Sequence, residues 1–316
     1  MGKLCANFNL FGMSHITLML VSIVLSVALV LLLKKLDGRT RTYVNWGLIG
    51  TMGLLVVLEF IGLLATGGDF FESLPVSPWS IFVYIAIFVQ ITQRDSWIKF
   101  GYFIVVPLSV ISLFVTPNYL TTASAWSLQA LSYFLTNGLL VSYYILQLIW
   151  SGEYLSKKDI LTSFLNYIII VACVHIFNVI LRFTTLGVHA NYFGTMGEEY
   201  DILNKLLYKF IEVPLVHQLP FFALIIGLGF LLILPFDMLK TKKDRQDQLE
   251  ELVALGNLKA QQNFRKTGHK GGSQILVNSA EKAKPSVPKN STNNLNTSGF
   301  VSVNKQVNVN KDEDNK

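Results

Sequence analysis

Seven long apolar runs, separated by short polar or charged connections, constrain the fold of this chain more than any other feature. A helix needs about 20 apolar residues to cross roughly 30 Å of hydrocarbon. Only 15% of the 316 residues are charged, whereas soluble domains carry about 25%. We therefore predict an all-α, polytopic membrane protein with seven transmembrane helices. The runs are 16–33, 44–66, 78–93, 98–115, 127–150, 160–181 and 216–236.

Lysine and arginine collect in alternate loops, which indicates an orientation because cytoplasmic loops carry an excess of both residues. The loops after the first, third and fifth runs are basic, whereas loops 67–77 and 116–126 contain neither residue. We therefore predict that the N-terminus lies outside and the C-terminus in the cytoplasm. The first run ends in Lys34 and Lys35 rather than at a small-residue cleavage site, so we interpret it as an uncleaved span of the cell membrane.

The chain divides into three predicted regions: a seven-helix domain at 1–239, a basic cytoplasmic helix at 240–266 and a disordered tail at 267–316. The first region carries 12 basic and 12 acidic residues and the remainder carries 14 and 8, so the net charge of +6 lies after residue 239. A cytoplasmic partner of this basic segment is therefore possible. The tail lacks the interleaved aromatic residues of a single-strand binder, so we expect no nucleic acid partner. Within the first region, 201–210 predicts a short helix at the outer interface.

The connection 67–80 is the most informative stretch between the runs. It is polar and contains Pro75 and Pro78, and proline in the first turn of a helix loses no hydrogen bond because its missing amide would be unpaired there. We therefore predict a fixed helix start, with Ser77 and Ser80 next to the space between helices where membrane proteins build their sites.

Few polar side chains interrupt the apolar runs, and these few are the candidate ligand-binding residues. Glu59 lies inside the second run, where a carboxylate must be paired, neutral or in contact with water. It either binds the polar head of a ligand or ties helices together. His175 and Asn178 share one face of the sixth run, where hydrogen bonding to a neighbouring helix is the structural alternative. The full set is Glu59, Asn137, His175, Asn178, Ser77 and Ser80.

The sequence contains no recognisable motif for a cofactor or a metal. Cys5 and Cys173 form neither a disulfide framework nor a metal spacing, so we interpret both as free thiols. Phosphate-binding loops, dinucleotide fingerprints and esterase elbows are also missing from the sequence. We therefore predict neither a cofactor nor a bound metal.

Several short motifs follow one another in order across residues 9–237. They are Phe11-Gly-Met-Ser-His15, Glu59, Ser73-Leu74-Pro75, Thr116-Pro117, Gly138, Asn178 and Asn191-Tyr192. Together they resemble the YwaF family of bacterial integral membrane proteins, which is similar to a eukaryotic family of transmembrane lipid acyltransferases. The resemblance implies a helical membrane fold and relatives that act on lipid.

The chain departs from the YwaF pattern at the positions to which the resemblance assigns chemistry. Where that family reads Ser-Leu-Pro-Leu-His-x-Cys-Asp, the histidine, cysteine and aspartate are replaced by Ser77, Trp79 and Ser80; where it reads Ser-His-Gly, the histidine is replaced by Asn137. Acyl transfer through a covalent intermediate requires a nucleophile and a base. The resemblance therefore implies inherited architecture without the chemistry of the acyltransferase relatives.

Our first functional hypothesis is a multi-pass protein with an interhelical pocket for a lipid or another amphiphile, with membrane lipids as its partners. The alternative is a membrane enzyme that modifies acyl chains with Thr136, Ser77 or Ser80 as nucleophile and His175 as base, which requires hydrogen-bond reach between them. A transporter component is a further alternative, although the runs show no internal repeat. A scaffold that recruits a partner through the tail is another.

Overall fold

The computed structural model describes residues 9–122, 124, 126–184, 189–197, 201–236, 253–256 and 258–259. Within these residues the fold is all-α, as the apolar runs predict. The helices are α1 Met13–Leu33, α2 Gly38–Ala65, α3 Pro78–Thr92, α4 Asp95–Phe114, α5 Leu128–Ser151, α6 Lys157–Thr184, α7 Ile202–Phe210 and α8 Val216–Phe236. They all belong to one unit of the chain, Met1–Leu249.

Six of these helices are long and apolar enough to cross a membrane: α1, α2, α4, α5, α6 and α8. Helix α3 has only 15 residues, which is shorter than the roughly 17 residues a spanning helix requires. The structure thus supports six candidate spans, and the seventh span and the orientation stay predictions. Helix α3 begins at Pro78, which confirms the predicted helix start.

Helix α5 forms the centre of the bundle and contributes more buried residues than any other described helix, including Tyr133, Tyr143 and Tyr144. The peripheral helices bury one stripe and expose another. On α6 large aliphatic side chains are exposed at intervals of four or seven residues, the spacing of one helical face. They are Leu161, Leu165, Ile169, Ile176 and Ile180. Such a surface requires an apolar surrounding, because soluble proteins rarely expose so large an apolar patch.

Small side chains bring α1 and α5 into close contact. A Cβ on Gly138 would lie 3.0 Å from the carbonyl oxygen of Ser22, so only glycine fits at this separation without displacement. The hydroxyl of Ser26 on α1 donates to the carbonyl of Gly138 on α5 at 2.7 Å, and within α5 the hydroxyl of Ser142 donates to the same carbonyl at 3.0 Å. Small residues and interhelical hydroxyl bonds are typical of contacts between membrane helices.

Helix α4 is interrupted by one π-helical segment, Gly101–Val105. Pro107 follows this segment, and proline lacks the amide that the carbonyl four residues earlier would normally accept. The widened turn lies against α5, where a Cβ on Gly101 would come within 1.7 Å of the Tyr144 ring. The irregular turn and the missing side chain together allow α4 to pack directly on a buried aromatic ring.

The loops meet in two groups at opposite ends of the bundle. At one end, which we call the cavity end, loop 66–77 contacts residue His189, and Pro117 pairs with Asp201. At the other end, Lys99 forms ion pairs with Glu153 at 3.4 Å and Asp159 at 3.6 Å. The ion pairs of Lys99 therefore lie at the end of the bundle opposite the cavity end.

Two further predictions concern segments that are not candidate membrane spans. The predicted helix at 201–210 is confirmed as α7, whose first residue follows the N-capping Asp201; its position at a membrane interface stays a prediction. The basic helix and the tail lie almost wholly outside the described residues, which after residue 236 comprise only helical pieces at 253–256 and 258–259. Cys5 also lies outside them, and Cys173 is a free, exposed thiol.

Candidate ligand-binding site

A cavity of about 280 Å³ lies at the cavity end of the bundle, between the end of α2, the start of α3 and the loops that cover them. Its apolar wall includes Val56, Phe60 and Leu63, whereas its polar wall includes Ser73 and Tyr119. The site therefore presents apolar and hydrogen-bonding surface together, as sites for amphiphilic ligands do.

Glu59 is the buried carboxylate of this cavity. It lies six residues before the end of α2, about 9 Å of helical rise from Ala65, and only 4% of it is exposed. The indole of Trp79 donates to one carboxylate oxygen at 2.7 Å, and the hydroxyl of Tyr119 donates to the other. Both oxygens thus have a partner, which offsets the cost of burying the group.

The end of α2 folds sharply because two glycines follow it. Gly67 adopts a left-handed conformation with φ of +87°, which costs glycine little. Its amide donates to Leu64 and the amide of Gly68 donates to Leu63, both at 3.1 Å, a pattern that satisfies carbonyls at a helix end. Asp69 then accepts the amide of Phe71 at 2.8 Å. This compact turn directs the chain back across the top of Glu59.

Helix α3 places its first turn against the same carboxylate. Pro78 occupies the first helical turn, where it fits without losing a hydrogen bond, and Trp79 directly follows it. The indole is buried and packs edge-to-face on Tyr133 with ring centroids 4.6 Å apart. Ser77 and Ser80 bond to each other through their hydroxyls at 2.8 Å. The proline-rich connection therefore positions both the indole and the serine pair.

The opposite wall of the cavity is a loop held by α6. The side-chain amide of Asn178 donates to the carbonyl of Tyr192 and to the hydroxyl of Thr195, both at 2.9 Å, and its oxygen accepts the amide of Tyr192 at 3.1 Å. Glu72 accepts the amide of His189 at 2.7 Å, which joins this loop to the turn after α2. The loop and the turn therefore close over the cavity as one structure.

The structure brings half of the predicted site residues together. Glu59, Ser77 and Ser80 line the cavity. Asn178 lies behind its wall and holds the loop, which makes it a positioning residue. Asn137 and His175 lie outside the residues that line the cavity. The amide of Asn137 donates to the carbonyl of Tyr133 at 2.9 Å within α5.

The predicted pairing of a hydroxyl with His175 is not formed among the described residues. The Nδ1 atom of His175 is buried without a hydrogen-bond partner there, and so is the hydroxyl of Thr136. Ser77 and Ser80 bond to each other. The described part of the chain also holds no group of three or more His, Cys, Asp or Glu side chains that could bind a metal.

Four further residues shape this site and were not among those predicted from the sequence: Trp79, Tyr119, Asp69 and Glu72. Trp79 lies at the end of an apolar run, where interfacial aromatic residues are common, but it is buried because α3 starts beside Glu59. Its place in the Ser73–Ser80 motif was the available signal. Tyr119 lies in the 3-10 segment Asn118–Thr122, and nothing in the local sequence links that segment to α2.

A second, smaller cavity of about 70 Å³ lies on the other side of Trp79 and contains Asp201. Burial raises the pKa of the Asp201 carboxyl, while hydrogen bonds from Asn204 act in the opposite direction. Asp201 accepts the backbone amide of Asn204 at 2.7 Å and its side-chain amide at 2.9 Å. The carboxyl thus caps α7 at the cost of being partly removed from water.

These features define a multi-pass helical membrane protein: six apolar helices of spanning length, aliphatic outer faces and polar bonds between helices. The chain belongs to the TMEM164 family, whose family model matches residues 10–237 and so covers all eight helices up to α8. No curated protein and no solved structure matches the chain significantly.

This finding overturns the resemblance to the YwaF family, which is wrong. Its motifs were short, and residues such as proline at a helix start or glycine at a helix contact follow from general packing demands rather than from one family. The residues at 77, 79 and 80 differ from the YwaF pattern, and this difference therefore says nothing about how the chain compares with its own family. The YwaF resemblance therefore gives no information about acyl transfer in this chain.

Proposed function

We propose that this protein binds a lipid or another amphiphile in the cavity that contains Glu59. The observation that carries the proposal is a cavity with one apolar wall and one hydrogen-bonding wall, next to a buried carboxylate inside a candidate membrane span. Ionisable side chains within membrane spans are rare and usually functional. A ligand with both an apolar and a polar part matches the two walls.

The size of the cavity supports binding of part of an amphiphile. Sites for drug-sized molecules occupy roughly 300–1,000 Å³, and this cavity measures about 280 Å³. That volume suits a head group with the first part of one chain. The remainder of the ligand would extend along the apolar outer surface of the bundle.

We further propose that the cavity end faces outward in a cell membrane. Loops 67–77 and 116–126 contain neither lysine nor arginine, and their described residues lie at this end, whereas cytoplasmic loops are enriched in these residues. The ligand would then come from the outer leaflet. The alternative of a membrane enzyme that modifies acyl chains lacks such support, because the hydroxyls of the described residues Ser77, Ser80 and Thr136 form no hydrogen bond to His175.

Lipid analysis of the purified protein tests the proposal. Wild type is compared with Leu74→Trp, which adds bulk at a half-buried lining position, and with the matched control Leu161→Trp at an exposed position on α6. We expect one amphiphile to be enriched over the bulk membrane in wild type and in the control, and lost in Leu74→Trp. Lipids that mirror the bulk membrane in all three proteins would refute the proposal.

A further inference from the structure

The charge of the cavity is strongly biased toward carboxylates. Among its lining residues, Asp69 and Glu72 are exposed near the opening and Glu59 is buried. Lysine and arginine are missing from the described residues that line it, and His189 is the one basic type there. Arg182, which does not line the cavity, donates to the carbonyl of Ala190 at 3.0 Å. An anionic head group would therefore meet uncompensated negative charge.

The hydrogen bonds of these carboxylates do not cancel their charge. Glu72 accepts the amide of His189, Asp69 accepts amides within its own turn, and Glu59 accepts from an indole and a phenol. All of these donors are neutral groups. They hold the carboxylates in place, and the exposed Asp69 and Glu72 keep their attraction for a cation.

Aromatic side chains line the same cavity as the carboxylates. Trp79, Tyr119, Tyr192 and Phe60 all line the cavity. Aromatic rings attract cations through their electron-rich faces, and cages of such rings are a common way to bind ammonium groups. Carboxylates combined with aromatic rings suit a weakly hydrated organic cation.

From this combination we infer that the polar end of the ligand carries a positive charge, as a protonated amine or a quaternary ammonium. The inference rests on the proposed function and adds the charge class of the ligand to it. Asp69 and Glu72 attract the cation at the opening, and Glu59 with the aromatic rings holds it inside. The apolar wall of Phe60 and Leu63 contacts the chain of the same molecule.

Competition between amphiphiles with one chain length and different head groups tests the inference. Binding of radiolabelled dodecyltrimethylammonium to the full chain in lipid discs is measured, and specific binding is the part that Leu74→Trp removes. Unlabelled dodecyl maltoside and dodecyl phosphate are the neutral and anionic competitors. We expect the ammonium compound to compete best and the phosphate compound least.

Carboxylate variants then locate the charge. We expect Asp69→Asn and Glu72→Gln each to weaken ammonium binding by about two- to fivefold, as exposed charges do, and Glu59→Gln by about tenfold or more, since it is buried. Maltoside binding should change little in the two exposed variants. Asp95→Asn and Glu153→Gln are matched controls at the opposite end of the bundle and should leave ammonium binding unchanged.

The contradicting outcomes are distinct. Equal competition by all three compounds, with specific binding retained, would overturn the charge inference and leave the proposed function intact. Displacement of the label by calcium chloride at low millimolar concentration would overturn it in favour of a metal site. The lack of any binding that Leu74→Trp removes would overturn the proposed function itself.

Discussion

Trp79 and Glu59 form the residue pair on which the cavity depends. The indole has one donor and no acceptor. Its bond to Glu59 at 2.7 Å therefore requires a hydrogen-bond acceptor at position 59. Glutamine at position 59 can keep both bonds, because its oxygen accepts from the indole and its amide donates to the Tyr119 hydroxyl. The pair therefore tolerates a neutral side chain better than an apolar one.

Loss of the indole donor should destabilise the fold. We predict that Trp79→Phe lowers the free energy of unfolding by about 1–3 kcal/mol, because one buried carboxylate oxygen loses its partner. Thermal unfolding in detergent measures the change, with Trp46→Phe as the control at an exposed position. Phenylalanine is also smaller, so a cycle with Glu59→Leu isolates the bond. Full additivity in that cycle would show that the two residues are not coupled.

Asp201 should give stability a pH dependence of known sign. Burial raises the pKa of its carboxyl in the folded state, so the folded protein keeps the proton to higher pH than the unfolded chain does. Stability is then greatest below the ordinary pKa of the carboxyl and falls as pH rises through the raised pKa. We predict that Asp201→Asn flattens this fall in thermal unfolding between acidic and neutral pH. An unchanged slope, equal to that of Asp95→Asn, would contradict this assignment.

At this scale, sequence alone predicts only part of the site. Glu59 is identified because a carboxylate in an apolar run demands a partner, and Ser77 and Ser80 because they flank a proline at a helix start. Tyr119 and Asp69 lie in loops, and loops contact α2 only through tertiary packing. His175 and Asn137 are polar residues in spans as well, yet they lie away from the cavity, because the position of a residue along a span does not determine which neighbour it contacts.

At the scale of elements, three glycines have different packing requirements. A Cβ would lie 1.7 Å from the Tyr144 ring at Gly101, 3.0 Å from the Ser22 carbonyl at Gly138, and within 4 Å of nothing at Gly50. Tyr144 is fully buried, so its ring has no free space into which it can move. The glycines of α4 and α5 therefore set the distance between helices, whereas the one of α2 does not.

Substitution by alanine should follow this order. We predict that Gly101→Ala lowers the free energy of unfolding by about 3 kcal/mol or more and Gly138→Ala by about 1–2 kcal/mol, since overpacking forces neighbours to shift. Gly50→Ala is the control and should be close to neutral. Thermal unfolding of the three variants in one detergent checks the order. Similar melting temperatures for Gly101→Ala and Gly50→Ala would contradict the close packing of α4 on α5.

The helices themselves are predictable from hydropathy because length and composition decide whether a segment can cross a membrane. Helix α3 shows the limit of this argument. Its apolar run suggested a span, but only 15 residues form the helix, because Pro78 fixes its start and Gln93 ends it in a left-handed conformation. The π-helical turn Gly101–Val105 could not be predicted from hydropathy, and Pro107 is the one residue nearby that indicates an irregular helix.

At the scale of the whole molecule, the orientation follows from charge, and labelling can test it. In a background of Cys5→Ser and Cys173→Ser, single cysteines replace the exposed Phe70 at the cavity end and the exposed Tyr154 at the other end. We predict that a membrane-impermeant maleimide labels position 70 on intact cells and position 154 only after permeabilisation. The reverse pattern would invert the proposed orientation. Equal labelling of both positions on intact cells would contradict the claim that they lie on opposite sides of the membrane.

The central claim is that the cavity at Glu59 holds an amphiphile, and photo-crosslinking tests it most directly. A dodecyltrimethylammonium probe with a photoreactive diazirine in its chain is bound to wild type and to Leu74→Trp, irradiated and mapped by peptide mass spectrometry. We predict crosslinks in residues 56–80, lost in Leu74→Trp. Crosslinks confined to the exposed face of α6, and unchanged in Leu74→Trp, would contradict the claim.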